Sequence, residues 1–168
     1  DRVAQAEWAR ARAEVARTGR PDLLARLALM DCAAQVASLA LQPPVCERFE
    51  ALRADAPAPE RAYAAYLAGR ASAQDAALLP EAHRQALAAS GDPATVPSAL
   101  AAMADPLARL VAAGALLQAG RASPAVMVLA TDTTSAQGWR RPLLAWLLAR
   151  AQRAEHAGNV EEAAALRR

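Results

Sequence analysis

The chain has 168 residues, a formal net charge of +2 and only two histidines and two cysteines. That length suits a single domain with a sizeable core. The near-neutral, interspersed charge excludes a nucleic-acid arm or an acidic tail. Alanine makes up nearly a third of the residues, there is no Ile, and every basic side chain is Arg, a bias in keeping with a GC-rich genome.

The predicted elements are all helical. Arg2 to Arg17 forms a first helix with Val3, Ala4, Trp8, Ala11 and Val15 near one face. Thr18-Gly19-Arg20 ends it, because the residue after a last turn favours the left-handed backbone that Gly adopts freely. Pro21 suits the first turn of a second helix running to about Leu41, with Leu23, Leu27, Met30, Ala34 and Ala37 expected inward. Pro43-Pro44 stops it. A short helix over 45–54 turns Phe49 and Leu52 inward, and Asp55-Ala56-Pro57-Ala58-Pro59 is a rigid turn.

Glu60 to Ala68 is predicted helical and carries Tyr63, Tyr66 and Leu67. It closes on Leu67-Ala68-Gly69-Arg70-Ala71-Ser72, a phrase nearly repeated as Gln118-Ala119-Gly120-Arg121-Ala122-Ser123. Ser72 is a candidate N-cap, and Pro80 divides the segment after it. Ser90 to Ser98, holding Gly91, Pro93 and Pro97, is the longest loop and the place where a single domain over 1–168 could subdivide. A short helix over 98–104 follows. Asp105-Pro106 then opens a helix with a stripe of Leu107, Leu110, Val111 and Leu117, and Ser123-Pro124 opens another through Val126, Val128 and Leu129. Thr131 to Gly138 is polar and is expected to be a loop. A last hairpin pairs Pro142 to Ala157, around Trp146, with a helix capped by Asn159. No stretch alternates polar and β-branched residues, so no sheet is expected.

The closing hairpin, Leu144 to Arg167, resembles a tetratricopeptide repeat. Ala151 matches the small residue of that family's first helix, Gly158-Asn159-Val160 its turn, and Glu162-Ala163 the start of its second helix. Asp105 to Ala130 is similar, with Ala113, Gly120 and Ala125 at the corresponding places. The first hairpin keeps Trp8 and Gly19 but has Arg12 and Leu24 where small residues belong. The turns at Gly19, Gly69, Gly120 and Gly158 depart from the period of about 34 residues. The resemblance implies antiparallel helical hairpins stacked as a short, degenerate α-solenoid that binds a protein or peptide. An irregular helical bundle is the alternative.

Chemistry is hard to place in this sequence. Neither His83 nor His156 has a second His or Cys one helical turn away, so no metal site is expected. His156 suits the last turn of a helix, and His83 is expected on the surface. There is no Gly-x-Ser-x-Gly and no clustered-glycine phosphate loop. Glu47, Glu50 and Glu60 could supply a carboxylate pair, but no aromatic sugar cleft accompanies them. The expectation is a protein without enzymatic activity and without a cofactor, which does not bind nucleic acid.

Candidate partner anchors are Tyr63 and Tyr66, three apart on one helix face, and Trp139-Arg140-Arg141 before the last hairpin. The tyrosines read equally as core residues with hydroxyls at the rim, and Trp139 as a cap over the hairpin end. Cys32 and Cys46 are either two buried thiols or a disulfide. If Cys32 lies nine residues before the helix end, it is about 14 Å from that end, and the chain must run back to meet it. A bridge and a start at Asp1 point to the bacterial periplasm, with the cytoplasm as alternative; a lipid anchor upstream of residue 1 is compatible with both observations. The longest uncharged run, Cys32 to Cys46, is too short for a membrane span. The function expected is an adaptor or scaffold that binds another protein. The alternative is a helical inhibitor or immunity protein that blocks a toxin or enzyme.

Overall fold

A computed structural model of the chain describes residues 2–40 and 45–167. Among the described residues ten α-helices follow one another: α1 Arg2–Arg17, α2 Pro21–Ala37, α3 Glu47–Glu50, α4 Ala58–Leu67, α5 Glu81–Ala89, α6 Val96–Ala101, α7 Pro106–Gln118, α8 Pro124–Ala136, α9 Arg140–His156 and α10 Val160–Leu166. A 3-10 helix over Ala73–Leu78 precedes α5. The described residues contain no strand, so the fold is all-α.

The helix ends obey local rules. Pro occupies the first or second position of α2, α4, α6, α7 and α8, where its missing N–H breaks no bond. Asp105 accepts from the Leu107 amide, Ser123 from Val126 and Asn159 from Glu162. At the repeated phrase, Gly69 and Gly120 both take positive φ. The following amide reaches back five residues in each copy, Arg70 to the Ala65 carbonyl and Arg121 to the Leu116 carbonyl, which is the Schellman closure.

The two copies of the phrase also meet in space. A Cβ on Gly69 would stand 2.5 Å from the Ala119 backbone nitrogen, so the end of α4 rests on the end of α7 without an intervening side chain. The copies diverge only afterwards. Ser123 is followed by Pro124 and starts an α-helix, whereas the amide and hydroxyl of Ser72 both donate to Asp75 and start the 3-10 helix.

Helix α7 is the centre of the molecule. Every residue from Leu110 to Leu116 is buried, because α2, α4, α5, α6 and α8 all pack on it. Its closest crossing is with α2. A Cβ on Gly114 would lie 2.5 Å from the Val36 carbonyl oxygen and 2.7 Å from Val36 Cγ1. The one charged residue of α7, Arg109, donates to the carbonyls of Leu100, Ala101 and Met103 and closes the exposed end of α6. It also reaches the Thr133 hydroxyl at 3.3 Å, tying the start of α7 to the end of α8 as an antiparallel hairpin requires.

The long helices form a row in which α1 packs on α2, α2 on α7, α7 on α8, α8 on α9 and α9 on α10. The segment from α3 to α6 leaves this row between α2 and α7 and packs back onto both. That excursion is why the glycine turns are unevenly spaced. Trp146 of α9, fully buried, donates its indole N–H to the Ala37 carbonyl at the end of α2 at 3.0 Å. It joins the last hairpin to the first.

Several expectations need correction. Thr131 to Ala136 is not a loop but the second half of α8. Thr131 and Thr133 satisfy their hydroxyls on carbonyls four residues back, and Thr134 on the carbonyl three back, which lets polar residues sit buried in a helix. Helix α2 ends at Ala37 and not at Leu41, with Leu39 in a left-handed backbone; Leu41 and the Pro43-Pro44 stop lie outside the described residues. The buried residues of α2 are Ala25, Ala28, Leu29, Asp31, Cys32, Val36 and, as expected, Ala37, while Met30 and Ala34 face out. Leu107 is likewise exposed. Trp139 is the N-cap position of α9, so Arg140 and Arg141 belong to its first turn and not to a loop.

Cys32 and Cys46 are bridged, with Cα atoms 5.2 Å apart. Helix α2 ends five residues after Cys32, which shortens the distance that the chain was expected to retrace from about 14 Å to about 8 Å. Cys46 takes a left-handed backbone at the start of α3 and so turns back on Cys32.

Candidate functional site

The feature with the most unusual chemistry is a groove of about 350 Å³ between α2, α4 and the 3-10 helix. Leu29 and Leu79, both almost fully buried, line its interior. Met30 from α2 and Leu78 from the 3-10 helix stand at its edge, 60% and 40% exposed. Pro59 and Pro80, each just at a helix start, complete the apolar wall. Large apolar side chains left facing water around a concavity mark binding surfaces.

A carboxylate sits within this apolar wall. Glu60, in the first turn of α4 where the helix dipole favours an acid, is 5% exposed. Its Oε1 accepts from Arg26 Nε at 2.8 Å across the groove from α2. Its Oε2 is buried with no hydrogen-bond partner. A buried acceptor left unmatched costs about 1–3 kcal/mol.

Behind Glu60, one helical turn along α4, Tyr63 lines the same groove and connects it to an aromatic cluster. The rings of Tyr63 and Tyr66 stack with centroids 6.1 Å apart, and the His83 ring lies 5.5 Å from the first and 5.0 Å from the second. The Tyr63 hydroxyl and His83 Nε2 are 3.4 Å apart. His83 is therefore not a surface residue: α5 turns it into the core, 4% exposed, with Nδ1 unpartnered. Burial pushes its pKa down to about 4, the Asp105 carboxylate opposing weakly. Burial pushes Tyr63 up to about 12 and raises Tyr66 further. All three groups are held neutral.

This has a measurable consequence. The unfolded chain takes up a proton at His83 near pH 6.5, the folded chain only near pH 4. Between those values the unfolded state binds more protons, so stability falls as pH drops through the window, by about 3 kcal/mol from this group in full. Urea unfolding at pH 7 and pH 4.5 should show the loss, and His83→Phe should remove most of it. Glu50, held below the usual carboxylate range by its hydrogen bond to Arg53, adds a separate loss only below about pH 4.5.

The other expected site residues lie elsewhere. Trp139 is half-buried against the core, while Arg140 and Arg141 are exposed. Arg141 lines a hollow with Trp8 between α1, α2 and α9, apart from the tyrosine groove. Glu50 makes two hydrogen bonds to Arg53 and is not one of the groove residues. No three His, Cys, Asp or Glu side chains converge to hold a metal among the described residues, and no helix there is long and apolar enough to cross a membrane.

Sequence reasoning did not single out Arg26 or Leu78, placed Met30 in the core, and named Glu60 only for a different chemistry. The Arg26–Glu60 pair is 34 residues apart and leaves no local pattern. Comparison of the chain with protein-family profiles, with curated proteins and with solved structures finds no match.

Proposed function

We propose that the chain is a non-catalytic adaptor or scaffold domain, built of degenerate helical hairpins, that binds a segment of another protein in the groove between α2, α4 and the 3-10 helix. The observation that carries this reading is the pairing of exposed Met30 and Leu78 with a buried, half-satisfied Glu60 in one concavity. Interfaces are anchored where apolar side chains surround a few polar groups awaiting partners. The neutral Tyr63–His83 pair supports a binding role over catalysis, since burial raises the tyrosine pKa where an activated nucleophile needs it lowered. The resemblance of Leu144 to Arg167 to a tetratricopeptide repeat agrees with this, as Ala151 and Ala163, at the positions where that family places small residues, are buried, along with Ala154. The Cys32–Cys46 bridge supports an oxidising compartment such as the bacterial periplasm.

A second reading, an inhibitor or immunity protein acting through a convex face, draws on α9. Arg140, Leu144 and Leu148 lie four residues apart and are all exposed. The two readings separate by site-directed photo-crosslinking in cells of the source organism, with the crosslinker at position 30 or at position 144. Capture at position 30, followed by loss of at least tenfold in affinity between the purified partners with Met30→Arg, supports the groove. Capture at 144 alone, with Met30→Arg binding normally, supports the α9 face and overturns the groove.

A further inference from the structure

We infer that the Cys32–Cys46 bridge is a site of reversible modification, at which a small aliphatic thiol exchanges onto Cys46 and frees Cys32, independently of the protein-binding reading. Both cysteines line an open concavity of about 210 Å³ between α2 and α3. Asp31, Gln35, Glu47 and Arg48 line it with them, so the bridge stands beside a polar, hydrated wall and is not enclosed by apolar side chains.

The two cysteines are not equivalent. Cys32 is 2% exposed and belongs to the core cluster, whereas Cys46 is half-buried against the margin of that cluster. Displacement at a disulfide proceeds in line, the attacking thiolate approaching one sulfur from the side opposite the other. The core packed around Cys32 bars that approach, which leaves Cys46 as the attacked residue. A lone pair of the incoming thiolate forms the new S–S bond. The electron pair of the old bond leaves on Cys32 Sγ, which takes a proton from water. The small thiol is thereby oxidised to a mixed disulfide and Cys32 is reduced. Attack of Cys32 on the Cys46 sulfur expels the small thiol and restores the bridge.

Both products suit their places. Free Cys is among the most buried residue types, so Cys32 fits the core as a thiol. Cys46 holds a left-handed backbone, φ 60, which a residue with a Cβ adopts uncommonly. Once unbridged, Cys46 is free to leave that conformation and carry the adduct outward. Strained or exposed bridges are the labile ones, and this residue supplies backbone strain and access together.

The fold also keeps the two halves near each other while the bridge is open. Arg48, two residues after Cys46, donates to Asp31, the residue before Cys32. Phe49, next in sequence, is fully buried. These contacts contain no sulfur, so α3 is not released outright and the bridge can re-form.

The test is incubation of the native, bridged chain with free cysteine, with and without urea. Samples are quenched in acid, denatured, alkylated with N-ethylmaleimide and mapped by mass spectrometry. The expected result at early times is a cysteinyl adduct on Cys46 with maleimide on Cys32, formed without urea and at a rate proportional to the thiol. Circular dichroism of the reacting chain should retain the helical signal. An adduct on Cys32 instead, or none on Cys46 until urea unfolds the chain, overturns the assignment. So does loss of the helical signal as the adduct forms.

Discussion

Replacing Trp146 with alanine is expected to destabilise the chain by about 3–5 kcal/mol, the range for deleting a buried large aromatic. Two losses combine. The side chain is fully buried within the main cluster, so its removal leaves a cavity beside the end of α2. Its indole also supplies the donor for the Ala37 carbonyl, which belongs to the last turn of α2 where carbonyls lack partners within the helix. Trp146→Phe separates the two, since it retains most of the volume and removes the donor. It should cost clearly less than alanine but more than a volume change alone. Urea unfolding followed by circular dichroism checks both variants. A loss below about 1 kcal/mol for Trp146→Ala would mean that the last hairpin is not seated on α2 as described.

Breaking the Cys32–Cys46 bridge is expected to lower stability by about 3 kcal/mol, the amount a cross-link closing a loop of some fifteen residues removes from the unfolded chain's freedom. The bridge fastens the segment leading into α3 to the inward face of α2, and Phe49, fully buried, follows it by three residues. Its loss therefore also loosens the seat of Phe49. The urea midpoint of the wild-type chain should fall on adding a reductant. The Cys32→Ala, Cys46→Ala double variant should start low and not respond, which excludes an effect of the reductant on anything else.

Much of the architecture was legible because helix ends are set by a few adjacent residues. Gly69 and Gly120 at positive φ, Pro106 and Pro124 after their caps, and Asn159 before α10 all stand where local stereochemistry puts them. Burial was read less well, and for a definite reason. In a chain so rich in alanine, the tightest faces are made of small residues, as with Ala25 and Ala28 on α2 or Gly114 on α7. The large side chain of Met30, which a hydrophobic stripe weights most heavily, is the one left outside. His83 was read as exposed because its neighbours in sequence are polar, whereas the tyrosines that enclose it come from another helix. Thr131 to Gly138 reads as a loop because it is polar. The bonds of its threonine hydroxyls to carbonyls three and four residues back were not visible until the helix was formed. The groove, likewise, exists only once α2, α4 and the 3-10 helix meet.

Helix α1 contributes no buried residue, and none of the cluster formed by the rest of the described chain belongs to it. Its one extensive neighbour is α2. Melting of this first rod is therefore expected to leave the interior intact, with the backbone amides of residues 2–17 exchanging with solvent faster than those of the helices behind them.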